Sequence, residues 1–169
     1  GAGADMNYIA GDGTTIFIVD SAPKLWAYTF NGTTWTASGS KALSGAVRWL
    51  FVQGGVVFIA NDTAGLKAYT YSGGTFTAAG TLAPAAGGWI DGVTGDGTRL
   101  YVEDTGYANR VLTYSAGTFN EVANDASGGG DRVPVYDGTN VWICGSDQTC
   151  IPAHFTGTNF VDGSTIITG

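Results

Sequence analysis

The stretch Arg48-Trp49-Leu50-Phe51-Val52-Gln53-Gly54-Gly55-Val56-Val57-Phe58-Ile59-Ala60-Asn61-Asp62 reads as two short apolar runs joined by a Gly-Gly turn. Its apolar run Val57-Phe58-Ile59-Ala60 has three counterparts: Ile16-Phe17-Ile18-Val19, Leu100-Tyr101-Val102-Glu103 and Val141-Trp142-Ile143-Cys144. The aromatics Phe17, Phe58, Tyr101 and Trp142 stand 41, 43 and 41 residues apart. A second landmark, the aromatic after a Gly-containing turn at Trp35, Phe76, Phe119 and Phe160, repeats the same spacing. A period near 40 with strand-like content points to propeller blades or a similar array.

Working outward within the second repeat gives four strands: 47–52, 56–61, 66–71 and 75–79. The separators are turn residues: Gln53-Gly54-Gly55, Asp62-Thr63-Ala64-Gly65 and Ser72-Gly73-Gly74. The first turns of the other repeats are Asp12-Gly13, Asp96-Gly97 and Asp137-Gly138, pairs that favour tight hairpins. No segment shows a helical apolar period with caps. The expected fold is therefore all-β: a four-bladed β-propeller of four-stranded antiparallel blades, in one domain over 1–169. The blades span about 5–43, 46–84, 88–126 and 131–169. A third aromatic set, Phe30, Tyr71, Tyr114 and Phe155, is expected to fill the space between blades. No strand is left over to be swapped between first and last blades. We expect the ring to close by face packing alone; the alternative is that the chain is half of a larger assembly.

Composition narrows the function. The chain has 169 residues, a net charge of -7 and only seven Lys and Arg, so a phosphate-binding surface and a nucleic-acid partner are not expected. No apolar run is long enough to span a bilayer, so membrane insertion is not expected either. The chain begins Gly1-Ala2-Gly3-Ala4 without Met, as a mature or excised piece would. Its two cysteines, Cys144 and Cys150, flank a short hairpin loop and are expected to form a disulfide, which places the protein in an oxidising compartment.

The runs Ile16-Phe17-Ile18-Val19-Asp20 and Ala27-Tyr28-Thr29-Phe30-Asn31-Gly32-Thr33-Thr34-Trp35, with their copies, resemble bacterial propeller repeats of the LVIVD, YncE-like and NHL-like kind. Repeats of this look also occur in secreted adhesins and in phage fibre or capsid-associated proteins. The resemblance implies a scaffold and brings no catalytic residues with it. Relatives usually carry six to eight blades, so four repeats is a departure.

Function should then lie where the repeats differ. Asn7, Arg48, Asp91 and Arg132 occupy one equivalent slot at the start of the innermost strand, followed by Tyr8, Trp49, Gly92 and Val133. A ring of Asn, Arg, Asp and Arg around a central opening, with Trp49 beside it, suits a carboxylate or a sugar. The competing reading is a self-satisfied ring in which Arg48 and Arg132 pair with Asp91. Asp20, Asp62, Asp104 and Asp147, with Asn61, Glu103 and Asn109, are compatible with a cation such as Ca²⁺, but Asp in a turn is more often a backbone cap. His154 stands where other blades have Thr29, Thr70 and Thr113 and lacks a nucleophile partner. Asn31-Gly32-Thr33 and Asn61-Asp62-Thr63 match glycosylation acceptors.

The expectation is a non-catalytic module at the cell or virion surface or in the extracellular space, binding a protein or glycan and needing no cofactor or metal. One alternative is a self-assembling structural protein of a filament or capsid. The other is a metal-dependent propeller hydrolase or lactonase, which would need converging acids where only Asp91 is available.

Overall fold

A computed structural model describes residues 5–125, 132–145, 149–163 and 166–167. Among them there is no helix, and the strands fall into four antiparallel sheets in chain order. Blade 1 comprises β1 (Met6–Gly11), β2 (Thr15–Asp20), β3 (Lys24–Phe30) and β4 (Trp35–Ala42). Blade 2 comprises β5 (Trp49–Gln53), β6 (Val56–Ala60), β7 (Leu66–Ser72) and β8 (Thr75–Leu82). Blade 3 comprises β9 (Ile90–Gly95), β10 (Leu100–Asp104), β11 (Ala108–Ser115) and β12 (Thr118–Asp125). Blade 4 comprises β13 (Arg132–Tyr136), β14 (Val141–Gly145), β15 (Thr149–Phe155) and β16 (Phe160–Asp162), with β17 (Ile166–Ile167) also pairing with β15. The chain is a four-bladed β-propeller.

The hairpins hold because each Asp-Gly turn satisfies its own backbone. Asp12 Oδ1 accepts the N–H groups of Thr14 and Thr15 at 2.9 and 2.8 Å, and Asp96 Oδ1 those of Thr98 and Arg99 at 2.8 and 2.7 Å. Asp137 repeats the motif with Thr139 and Asn140. The Gly after each Asp sits at φ 92–100°, a region that costs other residues strain.

Blades pack by inserting one aromatic between two. Phe17 of blade 1 meets Tyr71 and Phe76 of blade 2 edge-on, with ring centroids 5.7 and 6.0 Å away. Phe58 of blade 2 does the same to Tyr114 and Phe119 of blade 3, at 5.2 and 6.1 Å. Around the first insertion, Val19, Leu25 and Ala27 pack against Leu50, Val57 and Ile59. Around the second, Ala60, Leu66 and Ala68 pack against Val93, Leu100 and Val102. Hydrogen bonds tie the same junctions, from the Tyr71 hydroxyl to Ser38 Oγ and from the Tyr114 hydroxyl to the Ala79 carbonyl.

Burial along the second strand of each blade shows where this packing stops. In β6 and β10 nearly every residue is buried, because both faces are covered. In β2 burial alternates: Phe17 and Val19 are buried towards blade 2, whereas Ile16 and Ile18 are only half-buried. In β14 the opposite set is buried, Val141 and Ile143, and Trp142 and Cys144 are half-buried. Among the described residues, one face of blade 1 and one face of blade 4 are thus left partly uncovered. Ile9, whose counterparts Leu50 and Val93 are buried, is 61% exposed, and Val135 is 47% exposed. Among the described residues, these faces of blades 1 and 4 are less covered than their counterparts in blades 2 and 3. The aromatic insertion is seen at the first two of the three interblade junctions, and among the described residues none is seen between blades 4 and 1.

Candidate functional site

The innermost strands β1, β5, β9 and β13 run along a common centre, and an open cavity of about 210 Å³ is lined by Tyr8, Arg48, Asp91 and Val133, one residue from each blade. The equivalent slot noticed in the sequence is aimed by irregular pairing. The ladder between β1 and β2 skips at Asn7, and that between β9 and β10 skips at Asp91. In blade 2 the Arg48 N–H bonds to the Ala60 carbonyl, although Trp49 is the residue opposite Ala60. Such bulges redirect a side chain out of the alternating pattern of its strand.

Arg48 is the centre of the cluster. Its Nε and Nη2 lie 2.9 and 2.8 Å from Asp62 Oδ1, and its Nη1 is 3.4 Å from Asp91 Oδ1. Its guanidinium also lies over the Trp89 ring, 5.5 Å from the centroid. Asp91 is buried, and Arg48 keeps 40% of its side chain exposed. The self-satisfied reading is therefore correct for the Arg48–Asp91 pair. Asp62 joins it, held by the left-handed turn that follows β6 (φ 48°).

The remaining sequence candidates divide. Asn7 is exposed beside the cavity and does not line it. Trp49 packs against the Tyr8 ring, 5.8 Å between centroids, and against the core between blades 2 and 3. Its counterpart Tyr8 is the aromatic that reaches the opening. Arg132 opens β13 in the equivalent place, and its side chain lies outside the described residues. Trp89 was not legible as a site residue, because it falls at no repeated position; a lone Trp outside the repeat pattern was the available signal.

The other acids serve the scaffold. Asp20 accepts N–H groups of Ala22 and Lys24 and the Trp26 indole N–H. Asp104, fully buried, accepts Arg110 Nη1 at 3.0 Å and the Ala85 N–H. Asp147 lies outside the described residues. Among the described residues no group of three His, Cys, Asp or Glu side chains is placed to hold a metal ion. Glu103 and Asn109 face each other in the ladder, both buried, where blade 1 has Val19 and Leu25. Of the glycosylation triplets, Asn61 is buried with its amide on the Ala46 carbonyl, whereas Asn31 forms an exposed turn.

Electrostatics are sharpest at the hairpin turns. Burial raises the Asp96 carboxyl, but N–H donors from Arg99 and Thr98, the Tyr101 hydroxyl and the Arg99 charge together hold it below the usual range. Burial and the bond to Asp96 push the Tyr101 phenol well up. Asp137 is lowered by the Trp142 indole N–H and by the turn donors. Cys144 and Cys150 face each other across β14 and β15 and are disulfide-bonded, with Cα atoms 4.1 Å apart.

No family model and no curated protein matches the chain, so the LVIVD, YncE-like or NHL-like assignment stays at the level of resemblance. Solved structures do match. One is a Bacteroides uniformis protein provisionally assigned as a 6-phosphogluconolactonase, at 15% identity and a TM-score of 0.76. The match covers 97% of this chain and 55% of that one, so the chain spans about half the length of this solved structure. At that identity the likeness establishes the propeller fold alone.

Proposed function

We propose that the chain is a non-catalytic binding module working outside the cytoplasm, which engages a carboxylate or sugar on a protein or glycan partner through the central cavity. The observation that carries this reading is the cavity itself: four blades each supply one residue, and Arg48 stands half-exposed against buried Asp91 and half-buried Asp62. Asp62 holds the Nε and Nη2 side of the guanidinium and Asp91 adds an ion pair to Nη1, so the group is oriented while part of it stays open to the cavity. Tyr8 supplies an apolar wall for a sugar face or an aliphatic stem. The disulfide supports an oxidising location. The lactonase assignment of the Bacteroides protein is that protein's own, and no hydrolytic role is drawn from it.

The test is binding to glycan arrays and whole cells by the unaltered chain, Arg48→Ala and Tyr8→Ala, with near-ultraviolet circular dichroism as a fold control. Each substitution should weaken a detected interaction about tenfold or more, on the order of 1.4 kcal/mol. Unchanged binding in both variants would place the ligand elsewhere.

A further inference from the structure

The two residues that lengthen the repeat spacing from 41 to 43 fall in one place, the connector 83–89 between β8 and β9. That connector forms one wall of an open cavity of about 320 Å³ over the two outer strands of blade 3, through Ala83, Pro84 and Ala85. The other wall is Tyr107, Arg110 and Glu121. In the same places blade 1 has Pro23, Trp26 and Ala37, and blade 2 has Ala64, Lys67 and Ala78. The loop and the side chains that face it thus depart from the repeat at the same corner.

Contacts within the corner fix its shape. Buried Asp104 accepts both the Ala85 N–H and Arg110 Nη1 at 3.0 Å, which ties the connector to β11. A Cβ on Gly88 would collide with the Gly106 backbone, so the connector rests directly on the turn that carries Tyr107. Arg110 Nε donates to Glu121 Oε2 at 2.7 Å. Asn124 Nδ2 donates to Glu121 Oε1 at 2.8 Å and to the Tyr107 hydroxyl at 3.1 Å. The guanidinium lies 5.8 Å from the centroid of the Tyr107 ring, which is 47% exposed. One guanidinium is matched by two carboxylates, Asp104 and Glu121, so the corner holds no surplus positive charge for an anion. Among the described residues no group of three metal-ligating side chains forms there either.

We propose that this corner is a second binding site and that it takes a neutral sugar. A neutral polyol needs acceptors and donors side by side, and Glu121, Arg110, Asn124 and the Tyr107 hydroxyl present both in one hydrogen-bonded chain. Its C–H face needs an apolar wall, which the Tyr107 ring and Pro84 supply. The polar groups are held by one another in the unliganded chain, so binding orders few side chains. The site stands apart from the central cavity, since none of its lining residues lines that cavity.

Saturation-transfer NMR and calorimetric titration of the whole chain with the methyl glycosides of glucose, galactose, mannose and N-acetylglucosamine test it. At least one glycoside should bind, and inorganic phosphate or acetate should not displace it. Tyr107→Ala and Glu121→Gln should each weaken that binding about tenfold or more, with thermal melting as the fold control. Should Glu121→Gln fail to fold, Tyr107→Phe, which removes only the hydroxyl, takes its place with the same expected loss. The inference is overturned if none of the four glycosides binds, if phosphate or acetate displaces the sugar, or if the substitutions at this corner leave binding unchanged. Binding lost in Arg48→Ala but kept in the corner variants would place the sugar in the central cavity and overturn it as well. Because the two sites are probed by different residues, failure of one reading is distinguishable from failure of the other.

Discussion

Gly39 and Gly80 show how single residues set the spacing of blades. A Cβ on Gly39 would lie 2.4 Å from the Gly74 carbonyl oxygen, and one on Gly80 2.5 Å from that of Gly117. In both places the outer turn of the next blade rests on the outer strand of the one before. Gly39→Ala should therefore destabilise by about 1–3 kcal/mol, since backbone would have to move; urea unfolding measures it, and a neutral result would show that the outer turn is not seated. Asp12, Asp96 and Asp137 make a second prediction. Their folded pKa values lie below those of the unfolded chain, near 3.9. Their contribution is thus complete above about pH 4 and is lost as pH falls through the lower folded values. Melting temperatures between pH 2 and 6 should be level at the upper end and drop below about pH 4. The Asp-Gly and Gly-turn positions were legible in the sequence because turn chemistry is local. The grip of Asp62 on Arg48 was not, because it depends on a left-handed residue 14 positions away.

At the scale of elements, the repeated aromatics announced both the strands and their packing partners. What the spacing of 41, 43 and 41 could not show was the irregular pairing at Asn7 and Asp91, which decides which slot residues face the centre. Trp49 and Tyr8 share a register, opposite Ala60 and Val19, and both pack against an interblade core, yet only Tyr8 lines the cavity. The outer strands β4 and β8 run longer than turn signals suggest, since the register shifts at Ala27/Tyr28 and Ala68/Tyr69 let pairing continue past the kink. The β14–β15 hairpin carries its own prediction. Its disulfide closes a separation of only six residues, so Cys144→Ser with Cys150→Ser should cost about 2 kcal/mol. Thermal unfolding with and without reductant reads the same quantity. A shift below 1 °C would mean that the hairpin is held without the bridge.

Across the whole molecule, stability is expected to be graded along the array. Among the described residues, blades 2 and 3 are covered on both faces, and blades 1 and 4 are each left partly uncovered on one. In repeat architectures each unit is stabilised chiefly by its nearest neighbours. Amide exchange should therefore be slowest in β6 and β10 and fastest in β1 and β16. Uniform protection would contradict this uneven cover. Blade number was readable from the sequence, and closure was not, since each repeat specifies its neighbour but not the sum of the rotations between them. The position of the disulfide acquires a meaning from this. Cys144 and Cys150 stand where blade 1 has Val19 and Leu25, the pair that blade 2 covers. The last blade is thus fastened by a covalent bond at the place where the earlier ones are fastened by the blade that follows. An array built this way has a terminus whose firmness is set by thiol chemistry, and reducing conditions would fray it from that end first.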